Sequence, residues 1–309
     1  MFDKPKQRFR LRQGIPGWYF FECLAVRSVA AFFNLLPFNV SVWMGERTGE
    51  ILYGLALKRR KIALHNLDVA FGHSKSQAEK QKIVFDYFRH LGISLVELAR
   101  LPKLFEKGEA RFEIEGFEYM EQGFARGRGV LAAISHLGPW ELLSFLPYSR
   151  KFSCSVVGRA IRNPYLYQWI QSKRQSVHLN PIDKDQSIRQ VVSELRQNHC
   201  VAVLIDQWAG NEGLWIPFFR RKTSTTSFPA RLALRTGCTL LWLSCVRLGV
   251  GRYRIHVRPE IPIDSGSESW EEAATQRLNH FLEEDIAAYP NQWIWPHRRW
   301  KETNKFAQV

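Results

Sequence analysis

Cysteine is scarce in this 309-residue sequence: five residues, with no C-x-x-C pair and no Cys/His ligand spacing. Cys23, Cys154, Cys200, Cys238 and Cys245 are odd in number and lie mostly within apolar runs. That excludes a disulfide framework and a zinc site, and it fits small buried side chains in a reducing compartment. Acidic residues are also few, 29 against 44 Lys and Arg, which leaves a net charge of +15 and a pI near 9.8. Such a balance draws an anionic partner, whether nucleic acid, an anionic membrane face or an acidic protein. Finger spacing, an RNP-like segment and a recognition-helix pattern are all missing, which argues against nucleic acid. The N-terminus lacks the small-residue cleavage site of a signal peptide. Beyond residue 60 there are no internal repeats and no low-complexity linkers.

Apolar and aromatic residues are plentiful. Hydrophobic residues make up 45% of the chain, so a sizeable core forms and wholesale disorder is excluded. The 11 Trp favour the membrane among the anionic partners, because an indole settles where one part of the ring is dry and the other wet. A basic tail, Lys4 to Arg12, leads into the apolar stretch Trp18–Pro37. Glu22 and Arg27 interrupt that stretch, each costing about 2.5–3.5 kcal/mol near a bilayer centre if Glu behaves like Asp. A second stretch, Val40–Leu57, carries Glu46, Arg47 and Glu50 and ends on Lys58-Arg59-Arg60-Lys61. The two predict a helical pair lying in or dipping into the interface, with the basic run on the headgroups. Two buried helices of a soluble domain are the plainer alternative. Residues 1–60 therefore read as a basic tail with membrane-associating helices, and 61–309 as the catalytic unit.

Strands and helices then alternate. Helical spacing covers Ser74–Arg100, ending before Pro102. Gly129–Ser135, Ser153–Gly158, Cys200–Ile205 and Cys238–Val246 are short apolar runs of the buried-strand kind. Pro164–Arg174, Gln186–Gln197 and Phe228–Thr236 have helical length, Tyr253–Arg258 alternates like an edge strand, and Glu268–Tyr289 is a final helix stopped by Pro290. The pattern predicts an α/β fold with a mixed or largely parallel sheet flanked by helices.

Three of the apolar runs lead directly into polar groups: Ser135-His136, Gly158-Arg159 and Asp206-Gln207. Ligands of open α/β sheets bind outside the carboxyl ends of the strands, so these groups converge on one reaction centre. Around the first, Pro139 suits the opening position of a helix, and Glu141 would reach back over its start towards His136. A carboxylate there orients the imidazole and stabilises the imidazolium. The plainer reading is a His satisfied by a loop carbonyl and a Glu that caps a helix. With no G-x-S-x-G elbow and no nearby cysteine, the nucleophile is the substrate's own hydroxyl and His136 its general base. Asp206 reads either as part of the site or as the partner of a core arginine. Arg220-Arg221-Lys222 is either a solvated loop or a set of cations that hold phosphates. The run Trp293–Lys301 reads as packing rather than catalysis, and its Trp and Arg mixture also suits an interfacial belt.

In order along the chain, Arg60-Lys61-Ile62-Ala63, Asn66-Leu67, His136-x4-Glu141, Val157-Gly158-Arg159, Asn163-Pro164, Asp206-Gln207, Pro217-Phe218-Phe219, Arg231-Leu232-Ala233, Thr236-Gly237, Tyr289-Pro290 and Trp293-x-Trp295-x-His297-Arg298-Arg299-Trp300-Lys301 form a series. It resembles the bacterial lipid A biosynthesis acyltransferases, within the lysophospholipid acyltransferase superfamily, over essentially the whole chain. The resemblance implies a glycerolphosphate-acyltransferase-like fold. It also implies transfer of an acyl group, usually from acyl carrier protein, to a disaccharide glycolipid at the cytoplasmic face of the bacterial inner membrane. No cofactor is implied beyond the acyl-carrier-protein or coenzyme A thioester. His136 and Glu141 match the family's catalytic His-x4-acid pair. Arg159 matches a motif arginine that steadies the thioester oxyanion or a substrate phosphate, and Asp206 and Gln207 match a site-forming block. Two departures concern the acceptor: Arg220-Arg221-Lys222-Thr223 replaces a small-residue turn, and Phe71-Gly72 stands where Phe-Pro is expected. A lysophospholipid, an aminolipid or a mannosylated lipid is the alternative acceptor.

Overall fold

The computed structural model describes residues 17–301, apart from 107, 160 and 184–186. At its centre is a seven-stranded sheet built from β1 (Phe112–Glu115), β2 (Val130–Ile134), β3 (Cys154–Gly158), β4 (Leu179–Asp183), β5 (Cys200–Leu204), β8 (Thr239–Gly249) and β9 (Arg252–Val257). The strand order is β1-β9-β8-β2-β5-β3-β4, and only the β8–β9 pair is antiparallel. A separate antiparallel hairpin joins β6 (Leu214–Phe218) to β7 (Arg221–Thr225). The fold is α/β with a largely parallel sheet, as the alternating pattern predicts.

The central strands are apolar on both sides because both sheet faces are covered. Leu131 and Ala133 of β2, Val201 and Val203 of β5, and Leu240 and Trp242 of β8 face one core. That core is shared with α3 (Leu57–Phe71), α4 (Gln77–Ala99), α10 (Phe228–Thr236) and α11 (Trp270–Ala288). The intervening residues Ala132, Ile134, Cys200, Ala202, Leu241 and Leu243 face a second core. It is closed by α5 (Leu101–Glu106), α6 (Phe117–Ala125) and α7 (Phe145–Arg150). All five cysteines are buried and free.

Two expectations need correction. The alternating segment at 253–258 is not an edge strand: β9 lies between β1 and β8. Its alternation records burial on one face only, with Tyr253, Ile255 and Val257 inside. The segment after Pro139 is a short 3₁₀ turn, Trp140–Ser144, without a side-chain cap, so Glu141 does not reach back to cap its start.

At the N-terminus, α1 (Trp18–Leu35) and α2 (Phe38–Leu55) form the expected helical pair, while the basic run opens α3. α2 packs closely on α4, because Gly45 and Gly49 meet Gly92 with no side chain between the backbones. α4 itself starts with a reciprocal cap: Ser76 Oγ accepts from Glu79 N at 3.3 Å, and Ser76 N donates to the Glu79 carboxylate at 2.7 Å. α8 (Pro164–Gln175) is capped by Asn163, whose amide also donates to the Tyr19 carbonyl and the Glu22 carboxylate of α1, both at 2.9 Å. Among the described residues no helix is long and apolar enough to cross a membrane.

Candidate active site

Parallel pairing brings the C-terminal ends of β2, β3 and β5 to one sheet edge, with Ile134 level with Leu204 and Val157 level with Val203. His136 leaves β2 two residues beyond that level and Asp206 leaves β5 at the same height. His136 Nδ1 and Asp206 Oδ1 are 2.8 Å apart. The other carboxylate oxygen accepts from the His136 backbone N–H and from Trp293 Nε1, both at 2.9 Å. Asp206 is 0% exposed. With Nδ1–H committed to Asp206, the tautomer is set and Nε2 is the nitrogen left to take a proton.

This geometry revises the carboxylate assignments. Asp206, read from the sequence as part of the site or as the partner of a core arginine, is bonded to His136 through both the ring and the backbone N–H. Glu141, expected to orient His136, is held instead by Arg174, whose Nε and Nη2 bond its two oxygens at 3.0 and 2.6 Å. Glu141 and Arg174 lie near enough to act on His136 through charge alone. Burial opposes the imidazolium of His136, but the charge and hydrogen bond of Asp206, helped by Glu141, outweigh it and hold the pKa above the ordinary value. Burial likewise opposes the Asp206 carboxylate, yet His136 and the Trp293 N–H keep its pKa low.

The loop carrying His136 is strapped from behind. Leu137 bridges to Trp293, and Gly138 N donates to the Gln292 carbonyl at 2.8 Å. The Gln292 side chain closes on both backbone groups of Arg247 in β8, at 2.9 Å each. The Arg247 side chain is 8% exposed and pairs with Glu97 of α4, which also accepts from Tyr253 Oη at 2.7 Å. On the Asp206 side, Arg299 is fully buried and donates to the Gln207 carbonyl at 3.1 Å. His297 Nε2 accepts from Trp208 N at 3.1 Å, and burial pushes its pKa down to about 4, so the ring is neutral and serves as an acceptor.

The remaining expected residues are less central. Arg159 is exposed just past β3, and the Gln207 residue is exposed beside Asp206. Arg220 and Arg221 stand at the turn of the β6–β7 hairpin, where Arg220 lies against Gly72, Phe219 N donates to Glu283 and the Arg221 carbonyl accepts from Trp300. A small apolar cavity of about 40 Å³ lies on the second-core side of the sheet, next to Trp140 rather than against the pair itself. Ala132, Ala202, Cys154 and Cys200 form part of its floor on the sheet, and Trp140, Glu141 and Arg174 also line it. Trp140 packs edge-on against His136, ring centroids 5.0 Å apart. Sequence reading missed Arg174, Gln292 and His297 as site residues. The Trp293–Lys301 run did single out the last of these, but as packing.

A histidine held by a buried aspartate thus stands at the carboxyl ends of the strands. Residues 15–302 match the profile of the bacterial lipid A biosynthesis acyltransferases, and the chain belongs to that family. It is 26% identical to a lipid A biosynthesis palmitoleoyltransferase of Escherichia coli (strain K12) over 273 residues, 86% of each chain. It is likewise 26% identical to a lipid A biosynthesis lauroyltransferase of the same organism over 277 residues, 86% of this chain and 87% of that one. A phosphatidylinositol mannoside acyltransferase of Mycobacterium tuberculosis (strain ATCC 25618 / H37Rv) is 28% identical over 211 residues, 66% of each chain. The protein is an O-acyltransferase.

Proposed function

We propose that the protein transfers a fatty acyl chain from a thioester, carried by acyl carrier protein, to a hydroxyl of a lipid A precursor at the cytoplasmic face of the bacterial inner membrane. The observation that carries this is His136 at the strand ends, its Nδ1 held by buried Asp206 and its ring against Trp140. The acceptor hydroxyl gives its proton to His136 Nε2 as its oxygen attacks the thioester carbonyl carbon. Collapse of the tetrahedral intermediate then breaks the C–S bond, and the thiolate takes the proton back from His136. Base, nucleophile and leaving group all come from the chain and its two substrates, so the chemistry calls for no cofactor. Exposed Lys58, Arg59 and Lys61 of α3 suit an acidic carrier protein or anionic headgroups. α3 adjoins the site, for Asn66 donates to the Trp295 and His297 carbonyls at 2.7 Å.

A mannosylated phosphoinositide is the second acceptor reading, favoured by the 28% identity to a mycobacterial phosphatidylinositol mannoside acyltransferase. Mass spectrometry of total lipids from cells with and without the gene separates the two. Loss of one acyl chain from lipid A is the expected result, and an unchanged lipid A profile would reject this acceptor. In purified, folded protein, His136→Ala is expected to lower turnover by about 10²–10⁴-fold.

A further inference from the structure

We infer that the groove between α1 and α8 binds one anionic phospholipid, at a site separate from the His136–Asp206 pair. The two helices are joined at one end, where Asn163 Nδ2 donates to the Tyr19 carbonyl and to the Glu22 carboxylate at 2.9 Å each. Phe20 packs edge-on against Tyr165 at the same joint, ring centroids 5.9 Å apart. Beyond it, a groove of about 270 Å³ stays unfilled between the helices. Its lining continues a turn at a time, Cys23 and Leu24 with Gln168 and Trp169, then Arg27 and Ser172.

The chemistry of the lining selects the occupant. Phe20, Leu24, Tyr165 and Trp169 give apolar and aromatic walls, which suit a hydrocarbon chain. Arg27 supplies a cation without a counter-charge: it makes no ion pair or hydrogen bond among the described residues, and no carboxylate lines the groove. The one carboxylate of α1, Glu22, is already bonded to Asn163. Lys173 adds a second cation on the α8 side, its Nζ 5.9 Å from the centroid of the Trp169 ring. A guanidinium holds a phosphate through paired N–H donors, so a lipid with its chain along the groove and its phosphate at Arg27 satisfies both parts of the lining. The groove residues of α1 recur at i, i+3, i+4 and i+7 and so form one face of the helix, whereas Trp18, Phe21, Val29 and Phe32 are exposed on another. Phe20 and Leu24 are themselves exposed, so the groove opens at the surface beside that stripe and a lipid can enter it from a bilayer.

Native mass spectrometry of the full chain in a mild non-ionic detergent tests the site. Wild type supplied with dioleoyl phosphatidylglycerol is expected to retain one molecule per chain, and its melting temperature to rise with lipid concentration. Dioleoylglycerol has the same chains and no phosphate, and its retention should be at least tenfold lower. Arg27→Glu reverses an exposed charge without breaking a contact of the fold, and should lower phosphatidylglycerol retention at least tenfold. Ser172→Trp fills the groove from the α8 side and should exclude both lipids. The Trp18→Ser/Phe21→Ser/Phe32→Ser variant leaves the lining intact, so it should keep the one-to-one complex. Retention by Arg27→Glu or Ser172→Trp equal to wild type, or equal retention of the two lipids, overturns the inference. Loss of the complex in the triple variant to the same degree as in Arg27→Glu also overturns it, since the lipid would then sit on the exposed stripe. None of these measurements reads acyl transfer, so their failure leaves the acyl-transfer reading standing.

Discussion

The His136–Asp206 pair makes activity depend on pH in a direction the geometry dictates. Only neutral His136 accepts a proton, and Asp206 holds its pKa above the ordinary value, so kcat/KM is expected to rise with pH through a midpoint above about 6.5. Asp206→Asn removes the charge and leaves an amide that can present either an N–H or a carbonyl to Nδ1. The midpoint should then move to lower pH, while the plateau falls by as much as about 10⁴-fold because the wrong tautomer is populated. A midpoint unmoved in Asp206→Asn would show that the aspartate does not act on the histidine. Stability follows the opposite sign. A raised histidine pKa stabilises the fold below its unfolded value near 6.5, and that contribution disappears as pH rises through the folded pKa. Asp206, with its pKa lowered, stabilises above its unfolded value near 3.9, and that share is lost as pH falls through the folded pKa.

At the scale of elements, the site depends on how tightly the loop after β2 is pressed against β8. Gly138 has φ +62, and a Cβ there would run into the Cys245 carbonyl, a backbone atom that cannot swing aside. Gly138→Ala thus pays for the left-handed conformation, about 1–2 kcal/mol, and for displacement of the loop besides. Gly127 is a built-in control, with φ +69 and nothing within 4 Å of a Cβ. Thermal melts and kinetics should show Gly127→Ala destabilised by about 1–2 kcal/mol at unchanged kcat, and Gly138→Ala losing more stability and at least tenfold in kcat. Equal behaviour of the two variants would mean that the strap does not position His136. The doubly covered strands β2, β3, β5 and β8 were legible in the sequence because burial on both faces makes a continuous apolar run. β1 and β4 were not: Phe112-Glu113-Ile114-Glu115 is short and half charged, and β4 contains Pro181, which suits the sheet edge it occupies. His136 and Asp206 were each legible as strand-end groups. Their pairing was not, since Asp206 lies 70 residues from His136 while Glu141 lies five away and spacing favours the nearer carboxylate.

For the whole molecule, the charge and the aromatic surplus meet on the helical pair. Trp18, Phe21, Val29, Phe32 and Leu35 of α1 are exposed at helical spacing, and Trp43, Ile51, Leu55 and Leu57 extend the apolar surface along α2 into α3. Exposed apolar patches of this extent mark an interaction surface, and the neighbouring Lys58, Arg59 and Lys61 suit anionic headgroups. The attachment we propose is interfacial, with the aromatic stripe sunk into the headgroup boundary. Deleting both helices would be a poor test, because α2 is wedged into α4 through Gly45 and Gly49 and its loss would unfold the α4 contact. Replacing Trp18, Phe21 and Phe32 by Ser removes only exposed rings. Full burial of one such ring contributes about 1.5–3 kcal/mol, so even partial insertion of three predicts at least a tenfold loss of affinity for vesicles of mixed phosphatidylglycerol and phosphatidylethanolamine. The melting temperature should not change, since none of the three rings is buried in the fold. High salt is expected to weaken wild-type binding without abolishing it, because screening removes the headgroup attraction and leaves the apolar contact. Complete release of the wild type by salt, or vesicle binding by the triple variant equal to wild type, would show that α1 does not anchor the protein and that the basic run alone holds it to the surface.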